Sequence, residues 1–288
     1  MSTVVLLALT GLGLAALYFL IASGLSLVFG LAGVLNFAHG LFLSVGAYVT
    51  WWSAPHLGLP LAVVAGVVAA AATGALVELA MIRPLYARHT EQVLVTVGLS
   101  LAGVALLQSI WGADARVFPA FAFTGNVTTV LGAQVPDDRF LLIGAAVLVL
   151  AGLLAFLRFT RYGLVIRAGV ENRTMVKALG IDVRNAFTLV FAIGGALAGL
   201  AGILGGMYFT SISPGQGGSL LIFAFIVVVI GGLGSVTGSA VAAVVVGLLQ
   251  QFVNYYGASG AGDVSVVALL AIVLLLRPAG IAGKAATA

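Results

Sequence analysis

Two long stretches of this chain, residues 1–77 and 185–262, contain no Asp, Glu, Lys or Arg. A domain folded in water carries roughly a quarter of its residues as charges, so neither stretch has the means to face solvent. Each must lie in lipid or in packed protein. The whole chain agrees, with 62% of its 288 residues apolar and 7% charged. Lipid leaves no water to satisfy exposed backbone groups, which restricts spanning segments of this kind to helices. The reading is an all-α integral membrane protein, a polytopic helical bundle of about eight to ten transmembrane helices with room for a broken or re-entrant segment.

A helix needs roughly 20 apolar residues to cross the hydrocarbon core. Such runs, bounded by Pro, Gly clusters or charge, fall near 3–29, 34–52, 61–82, 93–111, 140–157, 186–209, 219–233, 236–255 and 264–276. The seventh and ninth are short. The chain opens without a basic segment, its first Arg being Arg83, so the first run reads as a retained span rather than a cleaved signal.

The net charge of +4 reads as the Lys/Arg bias of cytoplasmic loops, not as a nucleic-acid footprint, because the basic residues sit between apolar runs. With nine spans and the N-terminus outside, Arg83, Arg88, Arg158, Arg161, Arg167, Arg173, Lys177, Arg184, Arg277 and Lys284 face the cytoplasm, and only Arg116 and Arg139 fall outside. That distribution predicts N-out and C-in. It leaves a single transmembrane domain over 1–288, with an external loop at about 112–139 and a cytoplasmic loop at about 158–184. The absence of Cys excludes disulfides and thiol chemistry, and His39, His56 and His89 are too scattered for a metal. No cofactor is expected.

The cytoplasmic loop is the most informative segment. From Ala168 to Leu179 it reads as a short helix, with Lys177 in its last turn and Gly180 where a left-handed cap would end it. Ala168, Met175 and Leu179 share a face ringed by Arg167, Glu171, Asn172 and Arg173. That is the pattern of a helix docking into a partner's groove, and also of a solvated basic loop that merely fixes topology.

Residues 30–40 are equally unusual. Asn36 and His39 stand three apart in an apolar setting beside Gly30, Gly33 and Gly40, which puts two polar side chains on one helix face near a possible backbone break. They can line a passage or form a hydrogen-bonded packing pair. Gly195, Gly199, Gly202 and Gly206 stack along one face of the sixth run, for close static packing or for sliding. The run Gly231-Gly-Leu-Gly-Ser-Val-Thr-Gly238 reads as a membrane bend, with Ser235, Thr237, Ser211, Ser213 and Gln216 as weaker candidates for lining a pathway. Glu78 near Arg83 and Glu91 near Arg88 read as interfacial ion pairs. No nucleotide motif exists, since neither Lys177 nor Lys284 sits in the Gly-x-x-x-x-Gly-Lys-Ser/Thr pattern.

Two separated strings carry a resemblance. Arg161-Tyr-Gly163, Arg167-Ala168, Glu171-Asn172 and Ala178-Leu-Gly-Ile181 form one; Asn36-Phe-Ala-His-Gly40 followed by Gly46-Ala-Tyr48 forms the other. Together they resemble the branched-chain amino acid permease family of ABC importers, on its LivH-like branch. The resemblance implies a membrane permease subunit paired with a second, LivM-like permease, two cytoplasmic ATP-binding subunits and an external substrate-binding protein, all at the bacterial inner membrane. It makes Glu171, Asn172 and Arg173 the expected polar contacts of the docking helix and Met175 and Leu179 its apolar filling. Rivals are an ABC permease for an amide, urea or sugar, and a stand-alone carrier or channel. A membrane enzyme lacks any assembled set of acids, His and Ser.

Overall fold

The computed structural model describes residues 2–33, 35–86, 88–178, 184–258 and 260–282, with the backbone alone described at 32 and 170–178. Within these limits the chain forms ten α-helices: α1 (Ser2–Ala32), α2 (His39–Leu57), α3 (Leu59–Val77), α4 (His89–Trp111), α5 (Asp137–Phe159), α6 (Arg161–Ala178), α7 (Arg184–Phe209), α8 (Gln216–Gly231), α9 (Val236–Tyr256) and α10 (Ala261–Leu276). Six segments are long and apolar enough to cross a membrane: α1, α3 with its continuation to Leu85, α4, α5, α7 and α9. The apolar helices α8 and α10 are shorter. The nine runs expected from hydropathy correspond to all the helices except α6.

The core is built on α1 and α7. α1 packs on α9, α7, α5 and α8, while α7 packs on α3 and α2. Small residues set these distances. A Cβ at Gly24 of α1 would lie 2.9 Å from the Gly194 carbonyl oxygen of α7, so backbone meets backbone there. The α7 glycines work the same way: Gly195 faces the Ala70 carbonyl of α3, Gly199 faces Ala70 and Gly46, and Gly202 faces the Leu43 carbonyl of α2. Gly206 faces the Phe118 ring.

The segment 112–136 between α4 and α5 is structured. β1 (Arg116–Val117) pairs antiparallel with β4 (Ser211–Ile212), which follows α7. A hairpin of β2 (Val127–Val130) and β3 (Ala133–Pro136) turns at Leu131 and Gly132, both with positive φ, as a tight hairpin requires. This defines a hairpin end of the bundle. At the opposite, α6 end lie the last turns of α1, the α8–α9 turn and residues 277–282, whose Ile281 and Ala282 N–H groups bond to the Ile230 and Gly231 carbonyls. That turn holds Gly232 and Gly234 at positive φ, and the Ser235 hydroxyl caps α9 by accepting from Gly238 N–H at 3.0 Å.

Segment 158–184 departs from the expected loop. Helix begins at Arg161, with one residue separating it from the end of α5, rather than at Ala168. Thr160 alone forms the elbow, its hydroxyl accepting from Gly163 N–H at 2.9 Å, an N-terminal cap that the sequence reading overlooked.

Candidate functional site

The sharpest irregularity lies between α1 and α2. Gly33 takes φ +69°, a left-handed conformation that ends α1, and helix does not resume until His39. Asn36 and His39 therefore do not share a helix face, contrary to expectation. The Asn36 carbonyl accepts from His39 N–H at 3.2 Å and the Asn36 Oδ1 accepts from Ala38 N–H at 3.1 Å, so Asn36 shapes the turn that starts α2. Its Nδ2 has no partner among the described residues, although the residue is only 3% exposed.

His39 is completely buried, with Nε2 3.2 Å from the Ile21 carbonyl oxygen of α1; as the donor there, it leaves Nδ1 unpaired. Gly24 makes room for the ring, since a Cβ at 24 would lie 3.0 Å from His39 Cε1. Gly40 lies against Gly217 at the start of α8, where an added Cβ would come 2.8 Å from the Gly217 carbonyl oxygen. Both α2 and α8 thus begin at one place. That place is at mid-depth: Asn36 and Phe37 border a cavity of about 240 Å³ that Val97, Ser100 and Leu101 of α4 also line, and those residues are midway along α4.

The docking-helix residues divide. Arg167 is exposed, and Ile166 beside it is buried, with both lining a crevice shared with Ser26, Leu27 and Gly30 of α1. A Cβ at Gly169 would lie 2.7 Å from Leu31 Cδ1. α6 therefore rests on the last turns of α1, immediately before the break. Glu171, Asn172, Arg173 and Met175 fall where α6 is described by backbone only, and Leu179 and Gly180 lie outside the described residues.

Sequence reasoning undervalued Glu78. It is fully buried and opens a π-helical turn, Glu78–Ile82, at the end of α3. Arg83 Nε lies 3.2 Å from its Oε1, Thr188 of α7 donates to Oε2 at 2.7 Å, and the Tyr86 hydroxyl donates to Oε1. Burial, and then the adjacent Glu78, push the Tyr86 phenol well above its usual pKa, so it stays protonated as a donor. The expected pairing with Arg83 is present, but as part of a cluster that ties α3 to the first turns of α7. Glu91 and Arg88 form the exposed pair expected of them, at 3.2 Å.

Two further polar groups went unnoticed. The Tyr18 hydroxyl donates to Gln250 Oε1 at 2.7 Å, and Gln250 Nε2 donates to Asp263 Oδ1 at 2.6 Å, joining α1, α9 and α10. Arg139, paired with Asp138 at 2.5 Å, lies 3.6 Å above the Tyr208 ring. No spacing rule marks partners so far apart in the chain.

A multi-pass bundle in which one helix starts at mid-depth after a broken link, and an extra helix is braced against the end of the preceding helix, has the build of a membrane transport subunit. The comparisons make this particular. Residues 7–276 match the family described as branched-chain amino acid transport system / permease component, and the chain belongs to that family, one of transport components rather than enzymes. It is 31% identical over 288 residues to the high-affinity branched-chain amino acid transport system permease protein BraD of Pseudomonas aeruginosa, covering 95% of this chain and 94% of BraD. Identity to LivH of Escherichia coli K12, a protein of the same description, is 29% over 298 residues, with 95% of this chain and 94% of LivH covered. The fructose import permease protein FruF of Bifidobacterium longum is 27% identical over 285 residues, with 92% and 75% covered. No solved structure matches the chain.

Proposed function

We propose that this chain is one permease subunit of an ATP-driven importer of branched-chain amino acids in a bacterial inner membrane. A second, LivM-like permease completes the passage, two cytoplasmic ATP-binding subunits supply the work, and an external binding protein delivers the cargo. The α6 end then faces the cytoplasm and the hairpin end faces out, in keeping with the excess of Arg on and around α6. The chain has no Gly-x-x-x-x-Gly-Lys-Ser/Thr string, so the nucleotide must be bound elsewhere.

One observation carries the coupling: α6 touches α1 through Gly169 and Leu31, next to the break at Gly33. Force applied to α6 by an ATPase reaches the broken segment through a single layer of contacts, and the break is where alternate access can be set. Glu171, Asn172 and Arg173 supply the polar contacts in the ATPase groove, Met175 and Leu179 its apolar filling, and Arg167 and Gly180 bound the docking element.

Co-purification tests this reading. Glu171→Ala and Leu179→Ala release the ATP-binding subunits from the tagged permease while leaving its membrane insertion unchanged. Retained association with undiminished leucine uptake sinks the docking assignment, and solute accumulation by this chain alone in vesicles sinks the whole reading. Transport of a sugar or amide instead of leucine by the assembled complex would favour another cargo, and the likeness to the fructose permease FruF supports the sugar alternative.

A further inference from the structure

The cavity beside the helix break has a chemistry that the transport reading does not by itself assign. α2 begins at His39 and α8 at Gln216, they meet at Gly40 and Gly217, and neither start carries a side-chain cap. The start of a helix carries the positive end of its dipole, and two such ends meet here, although the His39 and Gln216 N–H groups already donate to the Asn36 and Ser213 carbonyls. A second observation points the same way. Asn36 borders the same cavity, is 97% buried by its 3% exposure, and retains an Nδ2 donor without a partner. Phe37 and Gly218, next to the two helix starts, line the cavity as well. The remaining wall is aliphatic and aromatic: Leu25, Val97, Leu101, Leu221 and Phe225. No acidic side chain borders it among the described residues. At about 240 Å³ it is below the roughly 300–1,000 Å³ of drug-sized pockets, which suits a ligand of single-amino-acid size.

We propose that this cavity is a resting site for a small aliphatic α-amino acid in transit, with its carboxylate accepting from Asn36 Nδ2 in the positive field of the paired starts of α2 and α8, and its branched side chain against Leu25, Leu101 and Leu221. The proposal rests on the transport reading above and deepens it. One unpartnered amide donor beside two helix-dipole ends holds an anion without any buried cation, and releases it readily because no ion pair has to be broken. The ammonium stays on the open side, where no acid would trap it. This is a transit site rather than a selectivity filter, and its affinity is correspondingly weak.

The test uses the assembled complex in proteoliposomes with its binding protein. The chain has no Cys, so Ser100→Cys places a unique thiol of this chain in the cavity wall. L-Leucine slows labelling of that thiol by N-ethylmaleimide, whereas L-leucinamide, which lacks the carboxylate, does not. Asn36→Asp replaces the donor with a like charge and abolishes the protection, and it lowers leucine uptake by about tenfold or more while co-purification of the ATP-binding subunits persists. Gly218→Val gives an independent check. A Cβ at Gly218 meets nothing within 4 Å, so the substitution fits the fold, yet it fills the cavity and removes the protection. Equal protection by leucine and leucinamide, or none in a complex that transports leucine, overturns the site. A complex with residue 100 intact that carries no leucine at all overturns the transport reading, and this proposal with it.

Discussion

α7 and α4 are both apolar enough to span a membrane, yet 67% of the most apolar window of α7 is buried against 17% of that of α4. In water such a difference would be written in hydrophobicity, because the outer helix would need a polar face. In lipid the outer helix has no such need, and the distinction is carried by size instead. α7 presents Gly195, Gly199 and Gly202 to the backbones of α3 and α2, whereas α4 turns Leu94, Leu106 and Ile110 outward. Small residues mark the inner helices, and large aliphatics mark the rim.

Three tests would break or sharpen that contrast. The largest effect is expected from Gly202→Leu, whose Cβ runs into the Leu43 carbonyl. Overpacking of this kind costs typically about 1–3 kcal/mol, and more where the obstacle is backbone. Gly152→Leu on α5, with nothing within 4 Å, should leave the thermal midpoint of the detergent-solubilised protein near wild type. Equal shifts in the two midpoints would show that the glycine stripe is incidental. Next is Glu78→Ala, which strips Thr188 and Tyr86 of a buried acceptor and is expected to cost about 2 kcal/mol. Glu91→Ala, in an exposed pair, should cost less than about 1 kcal/mol by the same melting measurement. Similar losses for the two carboxylates would argue that the α3–α7 tie is ornamental. The smallest effect is Tyr18→Phe, which removes a buried hydroxyl and leaves Gln250 Oε1 without its donor, expected to cost about 1 kcal/mol. No change in the midpoint would place that hydrogen bond outside the stability of the α1–α9 contact.

These contrasts explain what could be read from the chain alone. The spans were legible because lipid demands uninterrupted apolar length, and the α7 glycines were legible because a spacing of three or four puts them on one face. The break at Gly33 was visible only as an oddity, since a Gly-rich sequence permits a left-handed residue without fixing where helix resumes. Its consequence, that Asn36 stands outside α2 while His39 opens it, depends on tertiary contacts with Ile21 and Gly217. The length of α6 was underestimated because Arg161-Tyr-Gly163 resembles a loop when the Thr160 cap is not considered. The partnership of Glu78 with Arg83, Tyr86 and Thr188 was out of reach, since nothing in α7 announces that Thr188 meets a residue 110 positions earlier.

The elbow at Thr160 has a mechanical corollary. With a single residue between α5 and α6, and with Gly163 wedged against the Phe156 carbonyl, there is no slack to absorb a rotation of α6. Any torque on α6 swings α5 as the far arm of one crank, and the α5 surface carries Val147, Leu148 and Leu154 into the acyl chains. On the proposed docking of an ATPase at α6, each turnover would stir lipid as well as protein, so bilayer thickness and viscosity would become part of the load against which that ATPase works.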